Sequence, residues 1–137
     1  MKALAPDQLV ELLQPTQKQL HDGLAAFEKI APIMCRRPAD LKHLVLEGWL
    51  NTNIVALNGR PAYLIGWHIS ADGGFWFDLI QTLYSGLQHE VCHALVEKLA
   101  RQKGCRYMRM STYRAGVVKW AEQLGYTPEA VILTKTL

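Results

Sequence analysis

The chain has 137 residues, which is enough for one domain with a substantial core and too few for two comfortable domains. Half of the residues are apolar and 20% are charged, as is ordinary for a soluble globular protein. The three cysteines, Cys35, Cys92 and Cys105, are odd in number and widely spaced, which argues against a disulfide framework and a Cys-x-x-Cys zinc knuckle.

The formal net charge of +3 is unevenly distributed. Residues 101–119 carry no acidic side chain and six basic ones: Arg101, Lys103, Arg106, Arg109, Arg114 and Lys119. Such a stretch attracts anions such as a nucleotide phosphate, although the same pattern also fits a solvated face. No stacking aromatics or recognition helix accompany the charges, so we expect no nucleic-acid partner.

The N-terminus favours a cytoplasmic protein. Pro6 and Asp7 occur before any apolar stretch forms, so the sequence predicts no signal peptide. No run approaches the ~18 apolar residues that a membrane-spanning helix needs. We therefore expect a cytoplasmic protein in a reducing compartment, with no membrane partner.

The first elements in chain order are predicted to be helices. Apolar residues recur at helical spacing over residues 6–30, and Pro15 is expected to divide this helix into two pieces. Asp40 is a plausible cap for a short helix over residues 41–49. The sequence thus predicts N-terminal helices before any strand.

The pattern then changes to that of strands. Residues 53–57, 60–69 and 75–82 predict three strands, and Asn58-Gly59 is a hairpin turn signal between the first two. Because the connections are short, we expect an antiparallel meander. The tryptophans are expected in the core, namely Trp49, Trp67, Trp76 and Trp120.

The remaining elements alternate between helix and strand. Spacing predicts a helix over 87–102 ended by Gly104, a strand over 105–111, a helix over 115–124 and a strand over 131–136. A strand, helix and strand over 75–111 implies a parallel pair joined by a right-handed crossover. The predicted order is N-terminal helices, then β-β-β-α-β-α-β, which gives an α+β class with a mixed sheet.

One motif suggests metal chemistry. His89-Glu90-Val91-Cys92-His93 matches the helical zinc signature H-E-x-x-H, in which two histidines on one helical face bind zinc and the glutamate holds the attacking water. A zinc-dependent hydrolase is therefore one alternative function. A third ligand is needed, and the flanking chain does not resemble a metalloprotease, so we assign no metal ligands. The competing interpretation is two surface histidines at the start of a helix.

The ordered elements resemble the GNAT family of N-acetyltransferases over roughly residues 50–137. The resemblance is carried by the tail GCRYMRMSTYRAGVVKWAEQLGYTPEAVIL, in which Leu124-Gly125-Tyr126 stands where the family's short helix closes. The hairpin VALNGRPAYLIGW is also similar to the family's second and third strands. The resemblance implies one acyltransferase domain over residues 1–137 that uses acetyl-CoA and an unidentified amine acceptor. Neither it nor the sequence indicates an oligomeric state.

The resemblance also implies where acetyl-CoA would bind. In the family, the pantetheine arm pairs with an exposed strand edge, and a Gln/Arg-x-x-Gly-x-Gly/Ala loop opens the next helix beneath the pyrophosphate. The corresponding cofactor-binding candidates here are Ile80, Thr82, Gln88, His89, Glu90, Val91, Cys92, His93 and Arg114. The three motif positions are occupied by Leu87, Glu90 and Cys92, so a carboxylate replaces a glycine near two phosphates.

The family's catalytic positions also differ in this chain. The family's frequent asparagine falls at Arg114, and the tyrosine that often protonates the leaving thiolate falls at Ala121. Asp78, an acid inside an apolar strand, is the candidate general base, and Tyr84 just past the strand is the candidate acid. Asp78 facing solvent and Cys92 packing in the core are the structural alternatives. A non-catalytic binding or structural protein on the same fold, such as occurs in phages, is the other alternative function.

Overall fold

The computed structural model describes residues 10–30, 43, 45–110, 115–129, 133 and 135–137. Five strands and three helices of these ranges follow one another along the chain. They are β1 Val10–Leu13, α1 Gln17–Ile30, β2 Asn51–Leu57, β3 Arg60–Ile69, β4 Gly74–Thr82, α2 His89–Gln102, β5 Tyr107–Arg109 and α3 Ala115–Gln123. No helix in the described ranges is long and apolar enough to cross a membrane.

The strands form one mixed sheet in the order β1-β2-β3-β4-β5. The first four strands are antiparallel to their neighbours, whereas β4 and β5 are parallel and joined through α2. The predicted meander, the parallel pair and the α+β class are therefore confirmed. Asn58 and Gly59 both have positive φ, at 50° and 79°, as a tight hairpin turn between twisted strands requires.

The prediction that residues 6–30 are helical before Pro15 was wrong over the described part of that segment. Val10–Leu13 is a strand that pairs antiparallel with the far end of β2. Pro15 ends any helix that precedes it, and pairing of Val10–Leu13 with the edge of β2 outweighs the helical spacing. The helix after Pro15 is confirmed, and Thr16 and Gln19 begin it with reciprocal side-chain to backbone bonds of 3.1 and 2.9 Å.

Successive side chains of a strand point to opposite faces of the sheet. Because both sets are apolar here, each face is covered by a helix. On one face, Tyr63, Ile65 and Phe75 belong to a core cluster that includes Val96 of α2. On the other, Ile54, Leu64 and Leu79 pack with Leu24 of α1. We call these the α2 face and the α1 face of the sheet.

The burial of the tryptophans differs from the prediction, and the predicted final strand is described only in part. Trp49 is 70% exposed rather than in the core, because residues 47–50 form a turn and bend beyond the helical residues 43, 45 and 46. Among the other tryptophans, Trp67 is buried, whereas Trp76 and Trp120 are half-buried. Of the predicted final strand, 131–136, residues 131, 132 and 134 lie outside the described residues, and residues 133, 135 and 136 are in no strand.

Candidate functional site

The two parallel strands meet over a short length only. Gly74, Phe75 and Trp76 of β4 pair with the three residues of β5, and β4 then continues to Thr82 after β5 has ended. In the described part of the chain, residues 77–82 therefore have no strand partner on that side. Ile80 and Thr82 lie on this half-buried edge. An unpaired edge offers N–H and C=O groups to an extended ligand.

A polar network lies beside the paired part of β4 and β5. The guanidinium of Arg109 is 2.8 Å from a carboxylate oxygen of Asp72 and donates two bonds, of 3.0 and 3.1 Å, to Glu129. The Tyr107 hydroxyl donates to the backbone carbonyl of Asp72 at 3.2 Å. The pKa of the Asp72 carboxyl is held well below its usual range, mainly by its hydrogen bond with Ser70 and also by those with Tyr107 and Arg109. The network connects the β3–β4 turn to β5, beside the residues where β4 and β5 pair.

Asp78 lies at a bulge just beyond that junction. Leu79 is opposite Gly66 and Phe77 is opposite Trp67, so Asp78 has no register partner on β3. The Asp78 side chain is 2% exposed, yet the residue as a whole is half-buried, so its exposed area belongs to the backbone. Bulges re-aim side chains and are frequent beside active sites.

The Asp78 carboxylate is directed at a histidine that sequence reasoning missed. Its Oδ2 lies 2.5 Å from Nδ1 of His68, whose side chain is 28% exposed. The His68 ring is stacked on Trp76 with a centroid distance of 5.8 Å and an interplanar angle of 7°. The hairpin register supplied the signal, because pairing of residue 69 with 75 makes 68 and 78 diagonal neighbours.

Tyr84 lies at the opposite end of β3 from this pair. The Arg60 guanidinium sits 3.5 Å from the centroid of the Tyr84 ring. Arg60 begins β3 and His68 is eight residues further on, a span of roughly 26 Å in an extended strand. The structure therefore does not bring Tyr84 and Asp78 together.

The start of α2 lies near the open end of β4. The helix begins at His89 after Gln88, whose side chain makes no capping bond. The buried Tyr63 hydroxyl donates to the Gln88 carbonyl and so anchors the helix start to β3. An α-helix directs its first N–H groups out of its N-terminal end, where the helix dipole also favours an anion. The backbone of residues 88–91 therefore lies at the positive end of the α2 dipole.

Replacing Tyr63 with phenylalanine is expected to lower the free energy of unfolding by about 1 kcal/mol, because the part-buried hydrogen bond from its hydroxyl to the Gln88 carbonyl is lost. Urea denaturation measures this change. Tyr84→Phe is the matched control, since its ring contact with Arg60 is kept, and it should leave stability nearly unchanged. Equal losses in both variants would show that the anchor contributes nothing.

Trp120 of α3 packs against the first turn of α2. Its Nε1 donates to the Glu90 carboxylate at 3.3 Å, and its ring lies edge-on to His89 at 6.4 Å. Glu90 therefore directs its carboxylate towards α3. Neither sequence spacing nor the resemblance indicated that Trp120 belongs to this end of the site.

Cys92 and His93 of the His-Glu-x-x-His segment are buried. Cys92 is fully buried and burial raises the pKa of its thiol, so it packs in the core as the structural alternative proposed. His93 is 1% exposed, and its Nε2 lies 2.7 Å from the Tyr126 hydroxyl. The interpretation as two surface histidines was thus wrong for His93. The described residues hold no group of three His, Cys, Asp or Glu side chains that could bind a metal ion.

Two further features complete the site's surroundings. Arg114 lies outside the described residues. A cavity of about 510 Å³ lies on the far side of β5, between the end of α2 and residues 124–129. It contains none of the predicted site residues, and it is separate from the open edge of β4.

No protein-family model and no curated protein matches the chain. Solved structures do match. The aminoglycoside N-acetyltransferase AAC(6')-Iy, in complex with a bisubstrate analogue of CoA and acetylneamine, is 20% identical with a TM-score of 0.62, covering 94% of this chain and 99% of that one. A ribosomal-protein-alanine N-acetyltransferase from Brucella melitensis biovar Abortus is 12% identical with a TM-score of 0.62, covering 95% and 99%.

A third match is an aminoglycoside acetyltransferase from an uncultured soil metagenomic sample, in complex with sisomicin. It is 11% identical with a TM-score of 0.57, covering 95% of this chain and 96% of that one. The chain has the GNAT fold. In this fold, the Tyr63 hydroxyl links β3, opposite Thr82 at the end of β4, to the Gln88 carbonyl at the start of α2.

Proposed function

We propose that this chain is an acetyl-CoA-dependent N-acetyltransferase of the GNAT type, formed by one domain, that acts on a primary amine. One observation carries the proposal: among the described residues, β4 pairs with β5 no further than Trp76, and the β4 edge beyond this point leads towards the N-terminus of α2. An extended thioester ligand with a pyrophosphate fits such an arrangement, because strand and helix supply complementary hydrogen-bonding groups. The matched acetyltransferases include one bound to a CoA bisubstrate analogue.

In this proposal the pantetheine arm pairs with the β4 edge that carries Ile80 and Thr82. The pyrophosphate lies against the backbone of residues 88–91, and Arg114 supplies a further cation. The side chains of Cys92 and His93 support the helix from the core and do not meet the ligand, since both are buried. Asp78, at the point where the strands separate, belongs to the acid–base machinery.

Titration calorimetry with CoA and acetyl-CoA tests the proposal. We expect weak binding, because the Glu90 carboxylate adds a negative charge to a pyrophosphate-binding end. Failure of both ligands to bind at millimolar concentration would contradict the proposal. It would favour the non-catalytic alternative, a binding or structural protein on the GNAT fold.

Glu90→Gln is expected to tighten CoA binding by about three- to tenfold, which corresponds to roughly 1 kcal/mol. The amide removes the charge but keeps an oxygen that accepts the bond from Trp120. Glu97→Gln is the matched control, because Glu97 lies on the same helix about 10 Å further along and pairs with Arg101. Calorimetry should give an unchanged dissociation constant for this control. A similar gain in both variants would indicate a general charge effect instead.

A further inference from the structure

We propose that His68, held by Asp78, is the base that removes a proton from the amine acceptor. This inference rests on the proposed function and assigns a role to a residue that neither the sequence nor the resemblance indicated. Asp78 then acts through His68 and is a positioning residue.

The difference in burial between the Asp78 and His68 side chains indicates which of them meets the acceptor. The Asp78 carboxylate is 2% exposed and lies 2.5 Å from Nδ1 of His68, so an acceptor cannot reach it without displacing the ring. The His68 side chain is 28% exposed. A carboxylate on Nδ1 favours the tautomer with the proton on that nitrogen, which leaves the Nε2 lone pair as a proton acceptor.

The position of the pair matches the point where the acyl group would lie. Within the described residues, β4 pairs with β5 as far as Trp76, and Asp78 follows two residues later at the bulge. Trp76 and His68 lie on the α1 face, since their neighbours Phe75 and Trp67 belong to the core of the α2 face. The acceptor would thus approach from the face opposite the pyrophosphate end.

Trp76 fixes the plane of the base. The two rings are nearly parallel, with an interplanar angle of 7°, and the second anchor on Nδ1 prevents rotation about the ring's own axis. A histidine held at two points loses little further freedom when it meets an ammonium group. Such preorganisation is the pattern of a base oriented by a third group.

The reaction balances with this base. His68 Nε2 takes one proton from the acceptor ammonium and later releases it to solvent. The freed amine nitrogen attacks the thioester carbonyl carbon, forming the C–N bond of a tetrahedral intermediate. The C–S bond then breaks, and the sulfur leaves with a second proton from that nitrogen. The third proton stays on the amide product.

The test combines nitrogen NMR with kinetics. Side-chain ¹⁵N spectra of the whole protein should show His68 in the tautomer protonated at Nδ1. Asp78→Asn should shift it towards the opposite tautomer, because an amide can donate to Nδ1. CoA release from acetyl-CoA is followed chromatographically with neamine, with an alanine-terminated peptide and with water as acceptors.

We expect His68→Gln to lower kcat by about 100-fold or more, while the dissociation constant for CoA measured by calorimetry stays within twofold. Retained CoA binding shows that the variant is folded. Asp78→Asn should lower kcat with the change of tautomer. His21→Gln, an exposed change on α1, is the control and should keep wild-type kinetics.

Imidazole supplies a second readout. It should restore activity to His68→Ala, where it can occupy the vacated place beside Trp76, and should not restore Asp78→Ala. A His68→Gln variant with kcat within threefold of wild type would overturn the role of His68 while leaving the acetyltransferase proposal standing. A wild-type protein that neither binds CoA nor releases it from acetyl-CoA would overturn both.

Discussion

Replacing Phe75 with alanine is expected to lower the free energy of unfolding by about 3–5 kcal/mol. Phe75 is fully buried and is stacked on Trp67, with centroids 5.1 Å apart and an interplanar angle of 14°. It is also opposite Ile69 on β3 and Met108 on β5, so its ring fills the layer in which three strands meet. Deleting the ring removes apolar contacts and leaves a cavity that neighbouring strands cannot collapse into. Guanidinium denaturation measures the loss.

The same substitution should also weaken CoA binding, because Phe75 lies in the part of β4 that pairs with β5, next to the proposed binding edge. Val118→Ala on α3 is the control, since Val118 is 36% exposed and its truncation should cost about 0.5 kcal/mol or less. A Phe75→Ala protein within 1 kcal/mol of wild type would show that this layer repacks freely. The separation of β4 from β5 would then not depend on the Phe75 contact.

The central sheet was predictable because its signals are local. Uninterrupted runs of apolar residues mark β2 and β3, and Asn58-Gly59 supplies the positive φ angles that the turn needs. The helix after β4 and its parallel crossover follow from spacing and from the handedness rule. The short strand β1 was not predictable, since its four residues become a strand only by pairing with the edge of β2.

The same distinction between local signals and long-range contacts applies to the candidate site. Chain order and the resemblance indicated the β4 edge and the start of α2, both of which depend only on where elements begin and end. Single-residue spacing could not show the bulge at Asp78, which is a register shift between two strands. The contacts of Glu90 with Trp120 and of His93 with Tyr126 join α2 to residues some thirty positions further along the chain. Their geometry depends on how the helices pack.

The contact between His93 and Tyr126 explains why the His-Glu-x-x-His segment departs from a zinc site in the described structure. His93 belongs to the interface between α2, Trp120 and Tyr126, with ring centroids 5.6 and 5.5 Å away and interplanar angles of 86° and 71°. Aromatic rings packed edge-to-face leave the imidazole out of reach of solvent. The histidine therefore contributes to stability, and its contribution depends on pH.

We expect the protein to lose stability as the pH falls below about 6.5, and His93→Phe to remove that loss. Burial lowers the pKa of His93 from its ordinary value of 6.5, although nearby Glu97 opposes the shift. Between the lowered folded pKa and 6.5, the unfolded chain binds a proton that the folded chain does not. Stability therefore rises with pH in this window, by at most about 1.4 kcal/mol per pH unit, and is fully present above 6.5.

Urea denaturation at half-unit steps from pH 5 to pH 7.5 measures this dependence. The phenylalanine ring keeps the packing against Trp120 but loses the bond to Tyr126, so His93→Phe should be less stable than wild type at pH 7.5 and should show a flatter slope. His21→Gln should keep the wild-type slope. The lowered pKa of Glu129 affects stability only below its ordinary value of 4.5, and so does not disturb this range. Parallel curves for wild type and His93→Phe would show that His93 is not the titrating group.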